Sequence, residues 1–330
     1  MRKPMMLRLR LAALAAAGVI MCAVPANAQD QVWRHGLIKA KADAGIFMMV
    51  TTRDFAKKQG LDLKVSQFRN DQIALKALLA GQLDSYEGGP QGVFAADARG
   101  ADVRILGCHW LVVPHGIYAV DSIKKVTDLK GKSIAVSAPN SMPDMLARFA
   151  LEKYGLSPKD VKLAAVGGDR DRYNALIAGV VQAAVVSNEY QPVMPKSIHL
   201  LLAGRDAMPK FLRVCLMTSQ KVLDKKGKEA AHFLAAEMNA LHYALSHKAE
   251  TVALTEEIIH SKPGDPRPAF VYDDAVKHDA VDPSLPLPMD KLAWLQQQLI
   301  KAGTLKKPLG LKTVTAPKYR EEALKMAAGR

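Results

Sequence analysis

The stretch K-G-K-S-I-A-V-S-A-P-N-S-M-P-D-M-L-A-R-F (130–149) decides the fold class. Ser133-Ile134-Ala135-Val136 is a short apolar run of the kind that forms a strand buried on both faces. Ser137, Ala138, Pro139, Asn140 and Ser141 make a tight polar loop. Met145, Leu146, Phe149 and Ala150 then recur at helical spacing, with Asn140 or Ser141 as N-cap. Strand, polar loop and helix N-terminus bring backbone N–H groups and hydroxyls to one point, which suits an anion. An ordinary βα unit with a well-capped helix has the same pattern, so the stretch alone leaves both readings open.

The alternation extends in both directions. Upstream, Val32–Leu37 reads as a strand and Asp43–Gln59 as a helix stopped by Gly60. Leu61, Leu63 and Val65 alternate with polar residues as in a second strand, and Asn70-Asp71 caps a helix closed by Gly81. Leu83–Tyr86 leads into Glu87-Gly88-Gly89-Pro90 and another helix, with Pro90 suited to its first turn. A long apolar strand, 103–113, ends at Pro114-His115-Gly116. Downstream, strands at 133–136, 161–166, 183–186 and 198–202 alternate with helices at 141–154 and 170–178. A strand at 212–218 precedes a helical C-terminal part broken at 262–268 and 282–288. Two such runs imply two α/β lobes with parallel strands and ligands at the strand carboxyl ends.

The N-terminus has the form of a signal peptide over 1–28. Arg2, Lys3, Arg8 and Arg10 form a basic region, Leu11–Val24 is apolar, and Ala26-Asn27-Ala28 fits a cleavage site. The apolar run is short for a membrane span, and Met21 before Cys22 does not suit lipidation, so an exported, soluble chain is expected. Removing the four basic residues takes the formal net charge from +14 to +10. The remaining basic residues are spread out and aromatics are few, which argues against a nucleic-acid groove; solubility and attraction of small anions both fit. Cys108 and Cys215 lie in apolar runs and read either as buried small hydrophobes or as a disulfide pair.

Several stretches together resemble a known family. A-L-L-A-G-Q-L-D (77–84), D-L-K-G-K-S-I-A-V (128–136), L-E-K-Y-G-L-S-P-K-D-V (151–161), A-L-I-A-G-V-V-Q-A-A-V-V (175–186) and L-Q-Q-Q-L-I-K-A-G-T-L-K-K-P (295–308) occur in the order and spacing of the periplasmic solute-binding proteins of ABC importers for nitrate, sulfonate, taurine and thiamine-precursor compounds. The resemblance implies a two-lobed α/β periplasmic-binding-protein fold of type II, with two crossover segments and a ligand cleft between the lobes. Lobe one would hold 29–115 and 212–330, lobe two 116–211, and hinge closure would be the working motion. It also implies a monomeric periplasmic protein that takes a small, anionic ligand to an ABC permease in the inner membrane, with no cofactor. Gln182 departs from the pattern, standing where aspartate is usual.

Carried over position by position, the family's pocket falls on Lys39–Asp43 after the first strand and on Tyr86, Glu87, Gly88 and Gly89 after the third. In lobe two it falls on Ser137, Asn140 and Ser141, on Asp169, and on Asn188, Glu189 and Tyr190. Gly88 and Gly89 would let backbone N–H groups approach a ligand. Lys39 stands as an anion contact or a solvated surface lysine, and Tyr86 and Tyr190 as ligand contacts or packing beside the cleft. Glu87 and Glu189 would repel a bare anion, which favours a ligand with both an anionic group and a donor. His109, Trp110 and His115 end the strand before the first crossover, as stacking partners or as hinge packing. Asp84 reads as structural. No metal-ligand spacing, P-loop, nucleotide fingerprint or G-x-S-x-G is visible, nor the cysteine-rich motif of the fungal thiamine-pyrimidine synthases that share this fold. A binding protein is therefore expected, with a ligand-sensing receptor partner or such an enzyme as the alternatives.

Overall fold

The structure, a computed structural model, describes residues 31–139 and 141–328. The expected signal peptide and Asn140 lie outside the described residues. Ten strands follow the chain as β1 (Gln31–Ile38), β2 (Leu61–Phe68), β3 (Ser85–Gly88), β4 (Val103–Trp110), β5 (His115–Val120), β6 (Ser133–Val136), β7 (Lys162–Ala165), β8 (Ala183–Ser187), β9 (Ile198–Ala203) and β10 (Val214–Ser219). They form two five-stranded mixed sheets, ordered β2-β1-β3-β10-β4 and β7-β6-β8-β5-β9. This is the two-lobed α/β plan, and the chain passes between the sheets twice, at 111–114 and 204–213.

Each sheet holds one reversed strand. β10 is antiparallel to β3 and β4, and β5 to β8 and β9, whereas β1 runs parallel to β2 and β3, and β6 to β7 and β8. β5 and β10 are the strands that come directly off a crossover. The chain arrives where the neighbouring strands end, so it can only run away from that edge. The same constraint places both crossovers beside the strand carboxyl ends.

The first helices are α1 (Ala44–Met48), α2 (Asp71–Leu79), α3 (Gln91–Asp97), α4 (Met142–Lys153), α5 (Asp169–Ile177) and α6 (Gly204–Ala207, in the second crossover). The C-terminal part adds α7 (Gln220–Ser246), α8 (Lys248–Ile258), α9 (Arg267–Lys277), α10 (Met289–Lys301), α11 (Leu311–Val314) and α12 (Pro317–Ala328). Alternation along β10 sorts the core into layers. Val214 and Leu216 pack with Phe233 and Leu234 of α7, and Cys215 and Met217 with Leu78, Phe94 and Leu292 on the other face.

Beyond the two reversed strands, β5 and β10, where parallel ones were expected, two sequence expectations change and one open alternative is decided. The helix expected over 43–59 is interrupted: α1 ends at Met48, and only single 3₁₀ turns follow at 49–51 and 57–59. The Thr51 and Thr52 hydroxyls donate to the Met48 and Met49 carbonyls, and Arg53 and Asp54 adopt positive φ; side-chain bonds of this kind compete with the helical ladder. The strand expected to reach Val113 ends at Trp110, because the Leu111 N–H turns to the carbonyl of Ala280. Cys108 and Cys215, left open by the sequence, face each other across β4 and β10 and are joined by a disulfide. Among the described residues no helix is long and apolar enough to cross a membrane.

Candidate ligand-binding site

The strand ends and both crossovers enclose a cleft of about 460 Å³, within the range of small-molecule sites. Its lobe-one wall comes from the end of β1 through α1, from 69–71 at the start of α2, and from Glu87 and Gly88, which end β3 where the sequence pattern places a loop, with Gly89 next to them. Ser137, Met142 and Pro143 ahead of and within α4, and Gly168, Asp169 and Arg172 at α5, form the other wall. Val113–His115, Phe211, Arg213 and Val214 close the side of the two crossovers. Met48, Phe47, Met142 and Phe211 make much of the lining apolar. The first turn of α1 is pressed against α8: the Gly45 N–H donates to Thr255 Oγ1 at 2.9 Å. A Cβ at Gly45 would stand 2.0 Å from the Thr251 carbonyl. Glycine there lets α1 reach the position from which Phe47 and Met48 face the cleft.

Asp169 is the hub of the lobe-two wall. It accepts from Lys41 Nζ across the cleft at 2.7 Å and from the Ser187 N–H at 3.2 Å, lies 3.2 Å from His115 Nε2, and pairs with Arg172. Burial alone would push its carboxyl up, but His115, Lys41 and Arg172 outweigh burial and hold it well below the usual carboxylate range. Arg172, itself buried, spends its other N–H groups on the carbonyls of Val185, at 2.6 Å, and Gly167. Burial keeps His115 below its ordinary pKa despite Asp169.

The floor on the lobe-one side is different. Glu87 is almost fully buried, and burial, reinforced by Asp43, raises its pKa well above the ordinary value. Glu87 Oε2 lies 3.2 Å from His109 Nε2; burial lowers the His109 pKa to about 3, so the ring is neutral. Deeper still, His35 bonds the Ser85 hydroxyl through Nδ1 at 2.7 Å. Beside this group Arg213 lays its guanidinium over Trp110, 4.2 Å from the ring centre, and 5.3 Å from that of Phe47, and donates through Nη2 to Asp43.

Of the residues expected from sequence, Lys39, Asp43, Glu87, Gly88, Gly89, Ser137 and Asp169 line the cleft. Tyr86 lies in the core at 1% exposure, because adjacent strand residues point to opposite faces. Gly89 gives its N–H to the Asp71 carboxylate. A Cβ at Gly88 would stand 2.8 Å from that of Asp71, so glycine at 88 lets α2 pack closely. Ser141 is the N-cap of α4, accepting from the Asp144 N–H at 3.5 Å. Asn188, Glu189 and Tyr190 are outside the lining: Asn188 donates to Asp274 of α9 at 2.7 Å, Glu189 accepts from the Ala42 N–H at 3.2 Å, and Tyr190 stacks on Tyr173. Gln182, where the family pattern has aspartate, holds β6 by accepting from both the N–H and hydroxyl of Ser133. Asp84 pairs with Arg34 and Lys226, away from the cleft.

A cleft between two such sheets, bounded by two crossovers, is the two-lobed fold known from periplasmic binding proteins. A family described as "NMT1/THI5 like" matches residues 41–251, and the chain belongs to that family. A binding protein of Brucella abortus (strain 2308) is 33% identical over 130 residues, a match spanning 39% of this chain and only 40% of that relative. Among solved structures, the periplasmic aliphatic sulphonate binding protein SsuA of Escherichia coli superposes with a TM-score of 0.70 at 18% identity, over 86% of this chain and 97% of that one. The periplasmic nitrate-binding protein NrtA of Synechocystis PCC 6803 gives 0.68 at 17% identity, over 90% and 89%. The desulfurization enzyme DSZB also superposes, with a TM-score of 0.66 at 16% identity, over 90% and 99%. The fold thus serves both binding proteins and an enzyme.

Proposed function

We propose that this protein is an extracytoplasmic solute-binding protein that closes its two lobes on a small organic anion and presents it to an ABC permease. The observation that carries the reading is the interlobe cleft itself, spanned by the Lys41–Asp169 pair. A solute held between the lobes would report its presence through their closure. Binding without turnover is the reading for this chain, in the periplasm, where the disulfide would persist.

A thermal-shift screen of carboxylates, sulfonates, nitrate and pyrimidines tests it. A ligand at 100-fold excess over its dissociation constant adds about 2.7 kcal/mol to stability, so a true ligand raises the melting temperature clearly. No shift from any of these solutes, or turnover of one of them, would overturn the reading.

A further inference from the structure

We infer that Arg213 is the residue that grips the ligand's anionic group, and that the ligand is a monoanion with an apolar body. The inference rests on the binding-protein reading and adds to it the anchor and the ligand's charge and shape. Arg213 lies on the crossover side of the cleft, one residue before β10. Its backbone N–H donates to the Trp110 carbonyl at 3.0 Å, its guanidinium is held over Trp110, and Nη2 is taken by Asp43. Nη1 is buried and has no hydrogen-bond partner among the described residues. A charged donor out of reach of water and without an acceptor is costly, and the residue that carries it lines the cleft. The clamp fixes the guanidinium in place before a ligand arrives, so little side-chain entropy is lost on binding.

The other cations of the cleft divide into two sets. Lys41 is committed to Asp169, and Arg172 to Asp169 and two carbonyls. Lys39 and Arg69 are exposed residues at the rim. Arg213 alone among these five combines a fixed position with a vacant donor. Asp43 takes Nη2 and balances the unit charge of the guanidinium, so the open Nη1 suits a singly charged group rather than a dianion. Burial pushes the carboxyl of the neighbouring Glu87 well above its ordinary pKa, which lessens its repulsion of an anion. Beyond this polar corner the lining includes Phe47, Met48, Met142, Pro143 and Phe211 beside the Lys41–Asp169 pair, and these apolar side chains would surround a hydrocarbon that a bare inorganic anion lacks.

The test compares charged probes with uncharged isosteres. Hexanoate, hexane-1-sulfonate and benzoate are titrated by calorimetry against hexanamide and benzamide, with nitrate as the bodiless anion. Wild type is expected to bind at least one of the organic anions and to bind the matching amide and nitrate far more weakly. Arg213→Met, folded by circular dichroism, should lose about 10- to 100-fold for that anion, the range for a hydrogen bond to a charged group, while its weak affinity for the amide stays. Lys39→Met at the rim should change affinity less than threefold. If Arg213→Met does not fold, Arg213→Lys, which keeps charge but loses the planar fork, should still weaken anion binding about tenfold. Binding by wild type that Arg213→Met, or Arg213→Lys in its place, leaves within threefold, with the anion still preferred to the amide, overturns the anchor assignment alone. No binding of any probe to wild type overturns the binding-protein reading and the anchor with it.

Discussion

Glu237 of α7 is fully enclosed beneath the cleft floor, close enough to Glu87 for their charges to oppose each other, and its Oε1 has no partner among the described residues. Burial first, and Glu87 second, raise its pKa well above the ordinary value. The neutral rings of His35 and His109 nearby offer no compensating charge. The sign follows from linkage. Between the ordinary glutamate pKa and the raised folded value, the folded state holds a proton that the unfolded state has released, so stability falls as pH rises. Glu237→Gln removes that loss. The variant should melt higher than wild type at pH 8, by the equivalent of about 1–3 kcal/mol, and the two should converge near pH 4.5; equal melting temperatures at pH 8 would contradict this. Little of this floor was legible in the sequence. Glu237 reads as one polar residue in a helix, and Arg213 as part of a strand, because Arg213 meets Asp43 across 170 positions of chain. Lys39, Asp43, Glu87 and Asp169 were legible because they lie at or beyond strand carboxyl ends, where the fold class places ligands.

Among the elements, the loop after β1 and the start of α5 meet across the cleft. Lys41 is about a third exposed, and the Lys41–Asp169 pair joins elements 128 positions apart. Asp169 contributes in the opposite sense to Glu237. With its folded pKa depressed, its stabilisation is complete above the ordinary carboxylate range and is lost only as pH falls through the folded value. The bridge therefore persists at neutral pH. Lys41 is the exposed half of the pair, and Asp169 keeps Arg172 and the Ser187 N–H without it. The value for an exposed pair, at most about 1 kcal/mol, then applies, and Lys41→Met should shift the melting temperature by no more than about 2–4 °C. Without the bridge the ligand-free lobes should stand further apart, and small-angle scattering should give a larger radius of gyration for the variant. An unchanged radius would show that the other contacts between the lobes, among them Asn188–Asp274, Glu189–Ala42 and Phe149–Trp294, hold them without the bridge. Strands and helices at this scale were readable from apolar runs and glycine stops. The reversal of β5 and β10 was not, since a strand buried on both faces has the same composition in either direction.

At the scale of the molecule, the disulfide has a particular position. Cys108 stands two residues before Trp110, where β4 ends, and Cys215 two residues after Arg213. The covalent loop between them, with a sequence separation of 107, encloses both crossovers and every strand of the second sheet. Two apolar cysteine runs could not show this pairing; it depends on β10 inserting beside β4. A loop of that length removes on the order of 4–5 kcal/mol of unfolded-chain entropy in the simple chain model, and native disulfides typically contribute about 2–5 kcal/mol. That gain belongs to one lobe only. If the second sheet unfolds while the first is intact, β4 and β10 already hold the loop ends together, and the bond adds nothing. Only when the first sheet opens does the bridge restrict the chain. The Cys108→Ala, Cys215→Ala double variant should therefore lower the urea transition reported by Trp33 and Trp110, both in the first sheet's core, by about 2–5 kcal/mol. Hydrogen exchange in β6 and β8 should report a second-sheet opening free energy that is unchanged wherever this sheet opens first. A variant that lost protection in β6 and β8 by the same amount as it lost in the tryptophan transition would show the two lobes unfolding as one unit.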